Sequence, residues 1–307
     1  MTGGLVVTDQ IFGNVTRERA LAEQLGLEFN DFQCRTEEEC AEAVAGANVV
    51  LVNFAPITRR VLEALEPGTA VIRYGIGYDN VDIAAASELG IRVCNVPDYG
   101  ADTVADHTVA LLLALLRKVS LLDRAVRERG WLNPGDLGPL RGFADTTVGL
   151  IGTGRIGRAV SARLKPFGFT ITAYDPYVDP AELAAIGIES VDFNTLLSSA
   201  HAVSLHAPLT DANHHLIGRE SLSRMRPDAV IVNTSRGGLV DQHALASALR
   251  SGQLGGAALD VFEPEPLEAD SELREINNVL LTPHAAFFSD ASLANLQRLA
   301  TEEAKRA

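Results

Sequence analysis

Cysteine is scarce in this chain of 307 residues: Cys34, Cys40 and Cys94 are odd in number and lack CxxC or finger-like spacing. A disulfide framework is therefore not expected, and the three thiols read as reduced packing residues. No His, Cys or acidic cluster along the sequence has the spacing of metal ligands, so no metal is expected. Long apolar runs are missing too. The longest, Val109 to Leu116, falls far short of the ~20 residues a membrane span requires. Residues 1 to 7 lack the basic start of a secretory peptide, which leaves the cytoplasm as the expected compartment. Nor is there a basic run: 26 Lys and Arg stand against 40 Asp and Glu, a net charge of −14. That balance argues against nucleic acid or an anionic membrane as partner, and an anionic substrate would have to be caught by a few local arginines.

What is present is 47% hydrophobic residues, enough for two ordinary cores. Strand and helix patterns alternate from end to end, the mark of parallel sheets covered by helices on both faces. The first set has strands near Leu5–Thr8, Val49–Asn53, Ala70–Tyr74 and Ile91–Asn95, with helices near Thr16–Leu25, Thr58–Leu65 and Val81–Leu89. A long helix is expected over Ala101–Arg129, and a second set of strands near Val148, Thr170, Ala202, Ala229, Gly256 and Val279. Asn133 to Leu140 reads as a turn-rich connection. The fold class is thus α/β with two doubly wound parallel-sheet domains, a Rossmann dinucleotide-binding domain over residues 100–285 and a smaller flavodoxin-like substrate domain over 1–99. The C-terminal segment 286–307, amphipathic from Ser289, is expected to pack back onto the smaller domain, with a cleft between the two.

The most telling stretch is VGLIGTGRIGRAVSARLKPFGFTITAYD, from Val148 to Asp175. It holds a strand, a glycine turn, a helix and a second strand ending in an acid. Gly152 permits the tight turn, Gly154 lets the backbone approach a pyrophosphate, and Gly157 allows close packing of helix on strand. The phosphates would meet open helix N-terminal N–H groups. Asp175 can accept both ribose hydroxyls and repel a 2′-phosphate, which favours NAD over NADP.

Five segments, RYGIGYDNVD, TVGLIGTGRIG, VNTSRGGLVD, GAALDVFEPEP and LLTPHAAFFS, resemble in order and spacing the D-isomer-specific 2-hydroxyacid dehydrogenases. Arg73, VCNVP, the HHLI at His214 and HAAFFS are most similar to the C-terminal-binding-protein branch, which holds corepressors as well as enzymes. The loop Asn53-Phe54-Ala55-Pro56 departs from the family's usual small-polar or Arg-Ser loop. The resemblance implies an NAD-linked oxidoreductase that moves hydride between nicotinamide and a small 2-oxo or D-2-hydroxy acid. It also implies a homodimer formed through the dinucleotide domain, with which the apolar VALLLALL helix is consistent. An NAD(H)-sensing, corepressor-like binding protein with weak turnover is the alternative. Glyoxylate, hydroxypyruvate, phosphoglycerate and longer 2-oxoacids all remain open as substrates.

Reduction of a 2-oxoacid needs a cation for the carboxylate and ketone and a proton donor at the oxygen that gains charge. Arg236 follows the strand AVIVNTS, where a planar guanidinium can grip a carboxylate with two hydrogen bonds. His284 follows LLTP at another strand end and, by the resemblance, is the acid–base residue, with Glu265 on its second nitrogen stabilising the protonated form. Taken singly, His284 could cap a turn and Arg236 could be a surface charge; the combination points to chemistry. The resemblance further places Arg155 and Ile156 at the pyrophosphate, with Thr103, His206 and Ser235 in the cofactor pocket, and Asp260 on the nicotinamide carboxamide. It places Gly75, Ile76 and Gly77 at the substrate carboxylate through their N–H groups, with Arg73, Phe54 and Phe287 around the substrate.

Overall fold

The computed structural model describes residues 3–138 and 140–307. It divides into two compact units, one running up to Gly100 and resumed at Phe288–Ala307, the other Ala101–Phe287. The divisions fall one and two residues beyond the expected boundaries.

The first unit runs β1 (Gly4–Val7), α1 (Thr16–Leu25), β2 (Glu28–Asp31), α2 (Glu37–Ala43), β3 (Ala47–Val52), α3 (Arg59–Leu62), β4 (Ala70–Arg73), α4 (Ile83–Glu88) and β5 (Arg92–Cys94). Its five strands are all parallel, in the order β2-β1-β3-β4-β5. This is the flavodoxin-like winding, which reverses between β1 and β3. β2 and α2 were not anticipated. Glu28–Asp31 pairs on one side only, and an edge strand needs no apolar run. α2 is set by a capping box, with the Thr36 hydroxyl on the Glu39 N–H and the Glu39 carboxylate on the Thr36 N–H.

The second unit opens with α5 (Ala101–Leu116) and α6 (Val119–Arg129) and continues through β6 (Thr147–Ile151), α7 (Arg155–Leu164), β7 (Thr170–Tyr174), α8 (Pro180–Ala185), β8 (Glu189–Ser190), α9 (Phe193–Ser199), β9 (Ala202–Leu205), α10 (Arg219–Arg224), β10 (Val230–Asn233), α11 (Gln242–Arg250), β11 (Gly256–Leu259) and β12 (Val279–Leu281). The expected single long helix is in fact α5 and α6. Lys118 sits at φ 52° and closes α5 with its N–H on Leu115 O, while its ammonium reaches Leu137 O. No glycine or proline marks that break. The apolar run of α5 is largely spent inside the unit, where Val109, Leu111 and Leu112 are buried. Exposed apolar side chains lie instead on and after α6, at Val119, Val126 and Trp131.

The seven-stranded parallel sheet has the order β12-β11-β10-β9-β6-β7-β8, the Rossmann arrangement with one added edge strand. β9, β10 and β11 are buried at every position, as strands covered on both faces should be. Among the described residues, no helix is long and apolar enough to cross a membrane.

The last helix, α12 (Asp290–Arg306), is capped by Ser289 and belongs to the first unit. Its Gln297 amide donates to Glu18 Oε2 (2.9 Å) and to Asn14 O (2.9 Å), while the buried Tyr74 hydroxyl donates to Glu18 Oε1 (2.8 Å). Burial raises the Glu18 carboxyl above the usual range even with these donors. A buried acid that loses a donor costs about 1–3 kcal/mol. Tyr74→Phe should therefore lower the stability of the protein by about that amount in chemical denaturation, and an unchanged midpoint would show that the Glu18 cluster is not under that constraint.

Candidate active site

In the second unit the sheet reverses between β6 and β9, and the crevice at the carboxyl ends of such strands is where α/β folds bind ligands. The glycine turn fills that place. A Cβ on Gly152 would stand 2.8 Å from the His206 carbonyl carbon, and one on Gly157 would stand 2.4 Å from Gly152 O. Both contacts are with backbone and cannot relax. Gly154 differs: a Cβ there would meet nothing within 4 Å. It begins α7, which has no side-chain cap, so the first N–H groups of that helix face a space that suits a phosphate.

Asp175, just past β7, accepts from the Thr153 N–H (2.8 Å), the Thr153 hydroxyl (2.7 Å) and the Tyr177 N–H (3.0 Å). Burial pushes its carboxyl up, but these donors and the charge of Arg158 outweigh it and hold the group below the usual aspartate range. The acid is thus ionised and oriented beside the turn, and Thr153, unnoticed in sequence, orients it. His206 lies behind the turn, its Nε2 2.9 Å from Ser204 Oγ, and burial takes its imidazole down to about 4, which makes it neutral. Ile156 turns its side chain into the core while Arg155 is exposed, so only the backbone of Ile156 can serve a pyrophosphate. Ser235 donates to Ala207 O (2.6 Å), and Thr103 stands in the first turn of α5.

Arg236, Glu265 and His284 come from three separate strand ends of the same sheet. His284 Nδ1 lies 2.7 Å from Glu265 Oε2, and Glu265 Oε1 accepts the Phe262 N–H at 2.9 Å. Burial would raise the Glu265 carboxyl, but the bond to His284, the charge of that ring, the Phe262 N–H and the Arg236 guanidinium together lower it below its ordinary value. Arg236 is brought into that field by Gly237, where a Cβ would fall 2.0 Å from the Phe262 carbonyl carbon. Asn233, another residue the sequence did not flag, fixes the turn by donating to Arg236 O (2.8 Å) and accepting the Ser235 N–H (3.0 Å). Phe287 sets its ring edge-to-face on His284, with centroids 6.1 Å apart.

Asp260 has a structural task that the sequence does not show. Its side chain is fully buried, Oδ1 taking the Thr282 hydroxyl (2.5 Å) and the Ala285 N–H (2.8 Å), and Oδ2 the Ala286 N–H (2.9 Å). The residue anchors the turn that carries His284, whose own N–H donates to Asp260 O at 2.7 Å.

The first unit carries its own set. Asp9, after β1, accepts the N–H groups of Asn53 (2.9 Å) and Phe54 (2.6 Å), after β3. This fixes Phe54, 47% exposed, at that sheet's reversal point. Arg73 places its guanidinium carbon 5.8 Å from the Phe54 ring centroid and donates to Tyr74 O at 2.7 Å. Gly75 has φ 141°, and a Cβ there would collide with Arg73 Nη1 at 1.5 Å. Its N–H donates to Arg73 O (2.9 Å). Asn95 Nδ2 braces Ile76 O at 2.7 Å.

The sequence model of the D-isomer specific 2-hydroxyacid dehydrogenase NAD binding domain matches residues 109–286. This chain belongs to that family. It is similar to a glyoxylate reductase of Korarchaeum cryptofilum, 42% identical over 80% of this chain and 75% of that protein. It is also similar to a D-3-phosphoglycerate dehydrogenase of Mycobacterium leprae, 41% identical over 86% of this chain, which spans about half (49%) of that longer protein. Among solved structures, D-lactate dehydrogenase of Aquifex aeolicus complexed with NAD and lactic acid superposes with a TM-score of 0.88 at 26% identity, covering 98% of this chain and 94% of the other. The protein is thus an NAD-dependent D-2-hydroxyacid dehydrogenase, and the glycine turn with its open Gly154 fits that cofactor.

The glycines give a test. Gly154→Ala should fold with an unchanged melting temperature, since its Cβ meets no protein atom, and should bind NADH more weakly in a fluorescence titration. Gly157→Ala should lower the melting temperature itself. Equal NADH affinity for Gly154→Ala and the parent protein would remove that residue from the cofactor site.

Proposed function

We propose that this dehydrogenase reduces a small 2-oxo acid to the D-2-hydroxy acid and runs the reverse oxidation, with Arg236 gripping the acid and His284, paired with Glu265, moving the proton. The 2.7 Å bond between His284 Nδ1 and Glu265 Oε2 carries the reading. It fixes the ring, and Nε2 is the nitrogen that would serve a substrate oxygen. When bound, NADH supplies the hydride. Arg236 polarises the ketone and neutralises the carboxylate. Glu265, ionised because its carboxyl is held low, favours the protonated imidazole from which the alcohol takes its proton. Asp175 is the residue that would disfavour a 2′-phosphate, so NADH is preferred to NADPH. The relatives' names, glyoxylate reductase and phosphoglycerate and lactate dehydrogenases, share a carboxylate beside the reacting carbon and support the class. Dimerisation through the second unit belongs to the same reading, supported by the exposed Val119, Val126 and Trp131.

A panel of 2-oxoacids, each with NADH and with NADPH and followed by nucleotide absorbance, tests the activity and the cofactor preference together. His284→Ala should lower kcat by about 10²–10⁴-fold while NADH affinity stays within experimental error. Glu265→Gln removes the anion that favours the protonated ring. The pH above which reduction fades should then fall by about one unit or more. An unmoved profile would show that Glu265 does not act through His284.

Arg73 and Phe54 are proposed to choose the acid, the guanidinium by charge and the ring by apolar contact. A hydrogen bond between charged groups contributes about 1.5–3 kcal/mol, so Arg73→Ala should raise KM roughly tenfold or more with NADH affinity retained. A rise shared by all oxoacids would place Arg73 on the common carboxylate, and one confined to diacids on a second anionic group. No rise at all would take Arg73 out of the site.

A further inference from the structure

We propose that His214, His215 and Glu263 form a binding site for a divalent transition-metal ion of the kind that favours imidazole, such as Zn²⁺. No local spacing betrays the site, because Glu263 lies 48 residues beyond His215. In the fold, His214 Nε2 is 3.0 Å and His215 Nε2 3.1 Å from Glu263 Oε2, and the three ligand atoms lie within 4.8 Å of one another. A tetrahedral zinc with bonds of about 2.0–2.1 Å holds its nitrogen and oxygen ligands about 3.3–3.4 Å apart. Both nitrogens already stand within a few tenths of an ångström of that distance from the carboxylate oxygen, and the two rings would splay from their stack to admit the ion.

The arrangement is built by the backbone. Consecutive residues ordinarily send their side chains in different directions, but His215 sits at φ 53° with its N–H on Gly238 O (2.7 Å). The two rings consequently stack, 3.9 Å apart and 25° from parallel, with both Nε2 atoms turned to one carboxylate oxygen. A left-handed conformation at a non-glycine residue carries strain that its surroundings must hold in place. Gly238 provides the room, since a Cβ there would press to 3.1 Å from Glu263 Oε1 and 3.2 Å from His214 Cδ2. Gln242 steadies the acid by donating to Glu263 O. His215 and Glu263 also border a surface pocket of about 250 Å³, so the remaining coordination positions open onto space for water or a small oxygen ligand. Two imidazoles and one carboxylate suit Zn²⁺, Ni²⁺ or Cu²⁺ and offer too few oxygens for Ca²⁺ or Mg²⁺. The ion would tie the segment after β9 to the Phe262–Glu265 loop, two residues from Glu265.

Calorimetric titration of the tag-free protein with ZnCl₂, and the visible spectrum after addition of Co²⁺, test the site directly. The expected result is one equivalent per chain with a tetrahedral cobalt spectrum. Partners outside the coordination sphere alone alter metal affinity by about 10–100-fold. Loss of a direct ligand in His214→Ala, His215→Asn or Glu263→Gln should thus weaken binding by about tenfold or more. Asn is chosen at 215 because it tolerates the left-handed backbone. His243→Ala, whose ring faces Glu272 at 3.5 Å, and His284→Ala should bind as the parent does. Absence of binding, binding undiminished in the three ligand variants, or loss in His284→Ala alone would overturn the proposal.

Discussion

A single carboxylate shielded from water, that of Asp260, holds together the turn that carries His284. A polar group in an apolar interior is tolerable only when partners replace its water, and Asp260 finds its hydrogen-bond donors in the turn after β12: the Thr282 hydroxyl and the N–H groups of Ala285 and Ala286. Satisfying the acid therefore dictates the path of the backbone, and His284, at φ 51°, is carried through a conformation it would not adopt alone. The ring then emerges where Glu265 can take Nδ1. The pairing of His284 with Glu265 is downstream of a hydrogen-bonding necessity in the core.

The two sheets solve the same problem by different means at their points of reversal. In the first unit a carboxylate, Asp9, reaches across to the backbone after the neighbouring strand and pins Phe54. In the second, glycines at 152 and 157 let backbone meet backbone with no side chain between, which crowds the turn onto His206 from behind and leaves Gly154 facing outward. Close approach recurs at Gly237, which presses the Arg236 turn against Phe262. Arg236 and Glu265, distant in sequence, share one electrostatic field because of that missing methyl group.

Much of this was legible in the residues. The glycine spacing, the acid ending the next strand, and the strand-end positions of Arg236 and His284 follow from local pattern, because each is a rule about a strand and what directly succeeds it. What escaped is what tertiary contact decides. Nothing local shows that Asp260 anchors the turn after β12. Lys118 breaks a helix without a breaker residue, because its ammonium finds Leu137 O. Glu28–Asp31 is polar enough to read as loop and becomes a strand only because β1 pairs with it. Nor does any local pattern show that Gly75 leaves space for the Arg73 guanidinium.

The bond between Gln297 and Glu18 spans 279 positions, with the whole second unit threaded between its partners. That unit is contiguous and can close its sheet as soon as its last strand has been synthesised. The first unit cannot. Until α12 leaves the ribosome, one side of its helical layer is missing and Glu18 lacks one of its two side-chain donors, so the nucleotide-binding unit is in a position to be folded while the first unit still waits for α12.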